Sequence, residues 1–315
     1  MVAALKKELY MRKKEASHPV DTIYFGGGTP SMLSAATITA LIDEVNSQFN
    51  VATTPEITLE ANPDDLTPLY LEQLKKAGIN RLSIGVQSFH DAELTLMNRA
   101  HSGKQAVQSV VWAQRFFDNI SIDLLYGTPH TTFSDWKKNL DIALTLDVPH
   151  ISSYALTLEP KTALEHFVKK GVVDLLDEHE VEEPFLFLVD SLTANGYEHY
   201  ELSSFGKQGY HSRNNTAYWK GKPYLGIGPS AHGFDGAQRY WNVSNNATYI
   251  KKIETGDLPQ TIEKLSVVDK FNEAIMIGLR ASWGVSLPQI EQNLGKRYRE
   301  HLERQAQRFI DEALL

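Results

Sequence analysis

Thr22-Ile23-Tyr24-Phe25-Gly26-Gly27-Gly28-Thr29-Pro30 is a short apolar strand that runs directly into three glycines. Adjacent glycines allow positive φ angles and let a ligand approach the backbone closely. The hydroxyl and exposed amides that follow can hold a carboxylate, an amine or a phosphate. A tight turn without a ligand fits the three residues equally well. No Gly-Lys-Ser/Thr follows, and the Gly-x-Gly-x-x-Gly spacing is absent, so neither a phosphate loop of the Walker type nor a dinucleotide fingerprint is present.

Outward from this stretch, strands alternate with helices. Met1–Glu15 reads as a helix with Val2, Leu5 and Leu9 on one face. Ser34 caps a helix striped by Ile38, Leu41, Ile42, Val45 and Phe49. Strands follow at Glu56–Glu60, Arg81–Gln87, Ile120–Tyr126, His150–Leu156 and Tyr197–Leu202, with helices between them. Thr67-Pro68 opens one helix and Gly78 closes it. Ser134 begins another, carrying Trp136, Leu140 and Leu144. Strands at intervals of roughly 25 to 45 residues predict a parallel sheet with helices outside, an open or closed barrel. His211–Phe234 reads as structured loop, and from Val267 the chain is helical, the last helix running from Tyr298 to Leu314 without a stop signal.

The 315 residues are 42% apolar and 22% charged with a net charge of −8, an ordinary globular composition that argues against a polyanionic partner such as nucleic acid. The one cationic run, Arg12–Lys14, falls on an expected solvated helix face. No apolar run is long enough to span a bilayer and no export signal opens the chain, which predicts a cytoplasmic location. The chain has no cysteine, so disulfides, thiolate catalysis and sulfur-ligated metal sites are excluded from it.

Candidate chemistry sits at the strand ends. Glu60 can grip ribose hydroxyls or simply face water. Gln87 ends a strand interrupted by Gly85, which predicts a bulge or a close backbone approach. Arg99 on its own reads as a surface cation. Asp123 stands between Ile122 and Leu124 in a buried strand and needs an ion pair or a ligand. Tyr154 and Ala155 read as a core aromatic and a small residue.

Five segments in order resemble one family over essentially the whole chain: Ile23–Ser31, Leu59–Pro63, Leu82–Phe89, Ile122–Gly127 and Tyr224–Gly233. They are similar to the radical S-adenosylmethionine family of oxygen-independent coproporphyrinogen III oxidases and related haem chaperones. The resemblance implies a partial (β/α)6 TIM-like barrel with its first strand missing, spanning 1–205, and a loop region with a helical C-terminal domain over 206–315. It implies that Gly27, Gly28 and Thr29 meet S-adenosylmethionine, and that Glu60, Gln87, Arg99, Asp123 and Ala155 line the same mouth. His232 matches a position near a second S-adenosylmethionine in the oxidase branch.

Two departures qualify the resemblance. The family opens with a barrel strand and a Cys-x-x-x-Cys-x-x-Cys segment that holds a 4Fe–4S cluster, the electron source for cleaving S-adenosylmethionine. This chain carries neither, which predicts truncation at its start; the uncapped last helix predicts truncation at its end. The cluster then belongs to a full-length parent, and no catalytic or metal-ligating residue is assigned here. The chaperone branch also carries His-Asn-x-x-Tyr-Trp, where this chain has Asn214-Asn215-Thr216-Ala217-Tyr218-Trp219. An amide does not ordinarily ligate haem iron, and His211 is the nearby substitute unless it is simply a surface histidine. The expected function is haem binding and delivery to an acceptor protein. The alternatives are oxidative decarboxylation of porphyrin propionates and a barrel that binds a nucleotide or phosphate. A barrel without its first strand also predicts an unpaired edge, and hence poor stability or self-association.

Overall fold

A computed structural model of the chain describes residues 1–129, 131–157, 165, 168–170 and 177–315. These form two compact units, Pro19–Asn214 and a second built from Met1–His18 together with Asn215–Leu315. The units divide the chain differently from the expected 205/206 boundary.

The first unit is an α/β half-barrel. Its strands are β1 (Val20–Phe25), β2 (Val51–Ala61), β3 (Arg81–Gln87), β4 (Asn119–Tyr126) and β5 (His150–Ala155), all parallel and side by side in chain order. Two short strands complete the sheet, β6 (Glu198–Glu201) and β7 (Ser204–Gly206). Here the sequence expectation needs correcting: β6 does not join β5. The hairpin partner β7 inserts between them, antiparallel to both. A tight hairpin places its two strands antiparallel, so β7 takes the position expected for β6.

Alternation along the strands separates two chemistries. Leu59, Leu82, Ile84, Ile122, Leu124 and Ile151 are wholly buried and face the helices. Those helices are α2 (Ala35–Gln48), α3 (Pro68–Lys76), the short α4 (Asp91–Leu96), α5 (Gly103–Ala113), α6 (Phe133–Leu146) and α7 (Glu178–Ala194). Their starts are encoded locally. Ser34 and Thr67 accept from backbone amides three residues on, and Ser102, Thr132 and Asp177 form reciprocal capping boxes with Gln105, Asp135 and Glu180. Thr132, not Ser134, therefore caps α6. Gly78 ends α3 at φ +99° as expected.

The second unit contains α1 (Val2–Met11) and a three-stranded antiparallel sheet of β8 (His232–Phe234), β9 (Gln238–Asn242) and β10 (Gln260–Lys264). Of these, β8 and α8 (Arg213–Trp219) fall in the stretch read from sequence as loop, where glycines and isolated aromatics hide the alternation, while β9, β10 and α9 (Asn246–Thr255) fall between it and Val267, where the sequence reading placed no element. The rest is helical: α10 (Val267–Gly278), α11 (Leu287–Leu294) and α12 (Lys296–Asp311), which stops at Asp311 short of the expected end. Among the described residues no helix is long and apolar enough to cross a membrane.

Arg12 overturns the expectation of a solvated basic face. It is 1% exposed, and Glu8, one turn earlier, is 0% exposed. The Glu8 carboxylate accepts from Arg12 Nε at 2.9 Å, Asn242 Nδ2 at 2.7 Å, Gly228 N at 2.8 Å and Tyr249 OH at 2.6 Å. Arg12 also donates to Gln260 and lies 4.1 Å from the Tyr240 ring centre. The partners of this ion pair lie far along the chain, so no local pattern reveals it.

Candidate functional site

The polar face of the half-barrel collects groups from the ends of successive strands. After β1 the backbone turns through Gly27 at φ +79° and Gly28 at φ +64°. A Cβ at either would meet open space, so the left-handed backbone, not crowding, selects glycine. Gly26 is different: a Cβ there would sit 2.6 Å from the Tyr24 ring. Tyr24 OH donates to Glu60 Oε1 at 2.8 Å, and Gly27 N donates to Glu60 Oε2 at 3.1 Å. The carboxylate at the end of β2 thus fixes the glycine turn at the end of β1. Ser31 ties the same two loops, donating to Asp65 at 2.5 Å and accepting from Asn62 N. Thr29, half-buried, leads into a short turn of 3-10 helix at Pro30–Met32.

Asp123 does not interrupt the apolar stripe of β4. It lies on the opposite face, beside Ser152 in register on β5, and accepts from Ser83 Oγ at 3.4 Å. Burial, followed by the nearby Glu60 charge, pushes its carboxyl up to about 7, against the opposing pull of Arg81 and the Ser83 and Ser152 hydroxyls. The phenol of Tyr24 is pushed up as well, by burial and then Glu60.

The register between β3 and β4 slips between Ile84 and Gln87, which places the expected irregularity around Gly85. Gln87 itself adopts φ +66°. Arg99 is half-buried rather than a free surface cation: its Nη2 donates to Gly85 O at 2.8 Å. A Cβ on Gly85 would approach both Arg99 Nη2 and Gln87 Nε2 to 2.9 Å, so the glycine makes room for them. Burial holds the Arg99 guanidinium below its ordinary range, with Asp64 and Asp123 opposing. Ala155 is half-buried at the end of β5, and Tyr154, expected in the core, is 42% exposed. His232 belongs to the other unit, on β8.

Several members of this face were missed in the sequence. Tyr24, Ser83 and Ser152 fall on the same alternation as Glu60 and Asp123, which is the signal that finds them. Arg81, 2% exposed, opens β3 on that face, and among the described residues its Nε has no hydrogen-bond partner. His150 is fully buried between Ser121 Oγ and Tyr200 OH, each at 2.7 Å. Burial, then Arg81 and His211, keeps its imidazole well below the usual range.

The assembled mouth carries a left-handed glycine turn, two carboxylates, one of them titrating near neutrality, an amide and a guanidinium. Such a set fits a small zwitterion or a ribose. The Radical SAM superfamily description matches residues 4–143, and the HemN C-terminal domain matches 265–315. The chain is 35% identical to the haem chaperone HemW of Bacillus subtilis, over 93% of this chain and 78% of the relative. It belongs to the HemN/HemW family of radical SAM proteins. HemW of Lactococcus lactis is 34% identical over the same shares. The solved coproporphyrinogen III oxidase HemN of Escherichia coli shares the fold at a TM-score of 0.82 and 22% identity, covering 99% of this chain and 75% of that one.

Membership brings S-adenosylmethionine and a 4Fe–4S cluster as the family's cofactors. The polar strand ends fit the first. The cluster is not matched by these 315 residues, which contain no cysteine. Among the described residues no group of three or more His, Asp or Glu is placed to hold a metal either. No step through a cluster is derived for this chain.

Proposed function

We propose that this chain is a haem carrier of the HemW type that holds S-adenosylmethionine at the polar ends of β1–β5. The observation that carries this reading is the 35% identity to HemW over nearly the full chain. In the mouth, the Gly27–Thr29 turn receives the amino-acid end of S-adenosylmethionine. Glu60 faces the ribose hydroxyls while keeping its bonds to Tyr24 and Gly27. Ionised Asp123 and the carbonyl of Gly85 present negative charge to a cationic ligand, and Gln87, Arg99 and Ala155 complete the wall. Bound S-adenosylmethionine supplies the family's radical precursor. The protein groups bind it, orient it and set the local charge.

Haem is the cargo and an acceptor protein its destination. The test is retention and delivery. Ferric haem is mixed with the chain, unbound haem is removed by gel filtration, and apomyoglobin is added. Co-elution of haem with the chain, followed by appearance of the myoglobin spectrum, is expected. Haem that elutes free would overturn the reading.

A further inference from the structure

Position 214, where the chaperone motif places a histidine, is closed to haem iron. Asn214 is buried, Thr22 Oγ1 donates to its Oδ1 at 3.0 Å, and its backbone N–H donates to Glu56 Oε1 at 3.0 Å. His211, the alternative three residues earlier, is held by packing and charge, although its Nε2 makes no hydrogen bond among the described residues. Its ring stacks on Tyr200 at 4.1 Å and lies 2.9 Å from a Glu198 carboxylate oxygen. His101 and His150 are buried and hydrogen-bonded. His90 pairs with the Asp135 carbonyl and His199 with the Leu202 carbonyl.

His232 differs from all of these, and from the likewise exposed His18 and His301 it differs in standing on a strand beside a Trp ring. It is exposed on β8, and among the described residues no hydrogen bond or ion pair to its ring is present; its one ring contact is Trp241, at 6.1 Å. The two faces of this small sheet are unlike. Tyr240 and Asn242 point towards α1 and the Arg12–Glu8 pair. The opposite face carries His232 and Trp241 as one cross-strand pair and Phe234 and Arg239 as the next. Tyr224 bridges to Phe234, and Tyr218 meets Tyr224 edge-on at 4.6 Å. Two ring groups therefore share this face, His232 with Trp241 and Phe234 with Tyr224 and Tyr218, and beside the second Arg239 donates to Glu273 at 2.8 Å. The turn joining Tyr218 to Tyr224 carries the exposed cations Lys220 and Lys222.

We propose that this face binds an iron porphyrin, with His232 as the axial ligand. Tyr224, Phe234 and Trp241 lie against the macrocycle, and Lys220 and Lys222 complement the propionates. A histidine with a ring nitrogen free to ligate is a common protein ligand for haem iron, and aromatic faces suit a flat apolar ring. Lysines beside that ring match an anionic periphery. The inference rests on haem being the cargo.

The test is a visible-absorption titration of the 315-residue chain with ferric haem, alongside H232A and H211A. Wild type and H211A are expected to give the same imidazole-ligated Soret band. H232A is expected to lose it, with at least a tenfold weaker apparent affinity, and added imidazole is expected to restore it. H232Q serves if H232A melts early by circular dichroism. If both His232 variants keep the wild-type band, or H211A loses it, the inference is wrong while the carrier reading stands. If wild type shows only the spectrum of free haem, the carrier reading itself falls.

Discussion

Gly26, Gly27 and Gly28 look alike in the sequence, yet the structure uses them for different reasons. An alanine at 27 would sit at φ +79° with space around it, so its cost is backbone strain of about 1–2 kcal/mol. An alanine at 26 would instead push against Tyr24 and disturb the Tyr24–Glu60 bond. Gly27→Ala is thus expected to lower the melting temperature by about 2–4 °C per kcal/mol while leaving Glu60 in place. A Gly27→Ala protein as stable as wild type would show that the turn is not held in the left-handed region.

Asp123 carries a second expectation at this scale. Its carboxyl titrates at about 7 in the folded chain, against about 3.9 when unfolded. Below pH 4 it is protonated in both states and costs nothing. Between about pH 4 and 7 the unfolded state sheds its proton first, so stability falls as pH rises. Above 7 the full penalty stands, on the order of a few kcal/mol. Asp123→Asn is expected to remove this slope, read as urea midpoints at pH 4.5 and pH 8. Equal slopes for the two proteins would contradict the assignment. The sequence singled out Asp123, but from the wrong premise: it belongs to the polar alternation of β4 and does not break the apolar one.

Among the elements, β1–β5 and the helix caps were legible because their signals are local: alternation over a few residues, a hydroxyl before a helix, a glycine after it. The hairpin strand β7 and the sheet β8–β10 were not, since strands of three to five residues, two of them with a glycine inside, leave too short a pattern. Gly233 illustrates this: a Cβ there would strike the Tyr240 ring at 2.1 Å, so packing demands a residue that sequence rules read as loop. The burial of α1's charged face was equally hidden, because Asn242, Gly228 and Tyr249 are distant in sequence. Removing one member of that ion pair strands the other without solvent. Arg12→Ala or Glu8→Ala is therefore expected to cost about 3–5 kcal/mol in urea unfolding, and Glu8→Gln with Arg12→Met less than the sum of the singles. Losses below about 1 kcal/mol would reduce the network to an incidental contact.

For the whole molecule, the family was visible from five ordered segments, while the exposed sheet edge follows from topology. Among the described residues β1 pairs only with β2, so its other side offers unpaired backbone groups. Concentration-dependent self-association of the chain is expected in sedimentation velocity, and a monomer at all concentrations would contradict it. The account's central claim is that the polar strand ends form a mouth for a cationic nucleoside. The most direct test is calorimetric titration of S-adenosylmethionine into the chain at pH 8 and pH 6, with Asp123→Asn and Glu60→Gln in parallel. One saturable site is expected, tighter at pH 8, where Asp123 is ionised, and weakened at least tenfold by either substitution. An absence of saturable binding, or binding indifferent to pH and to both substitutions, would place the ligand elsewhere and contradict the account.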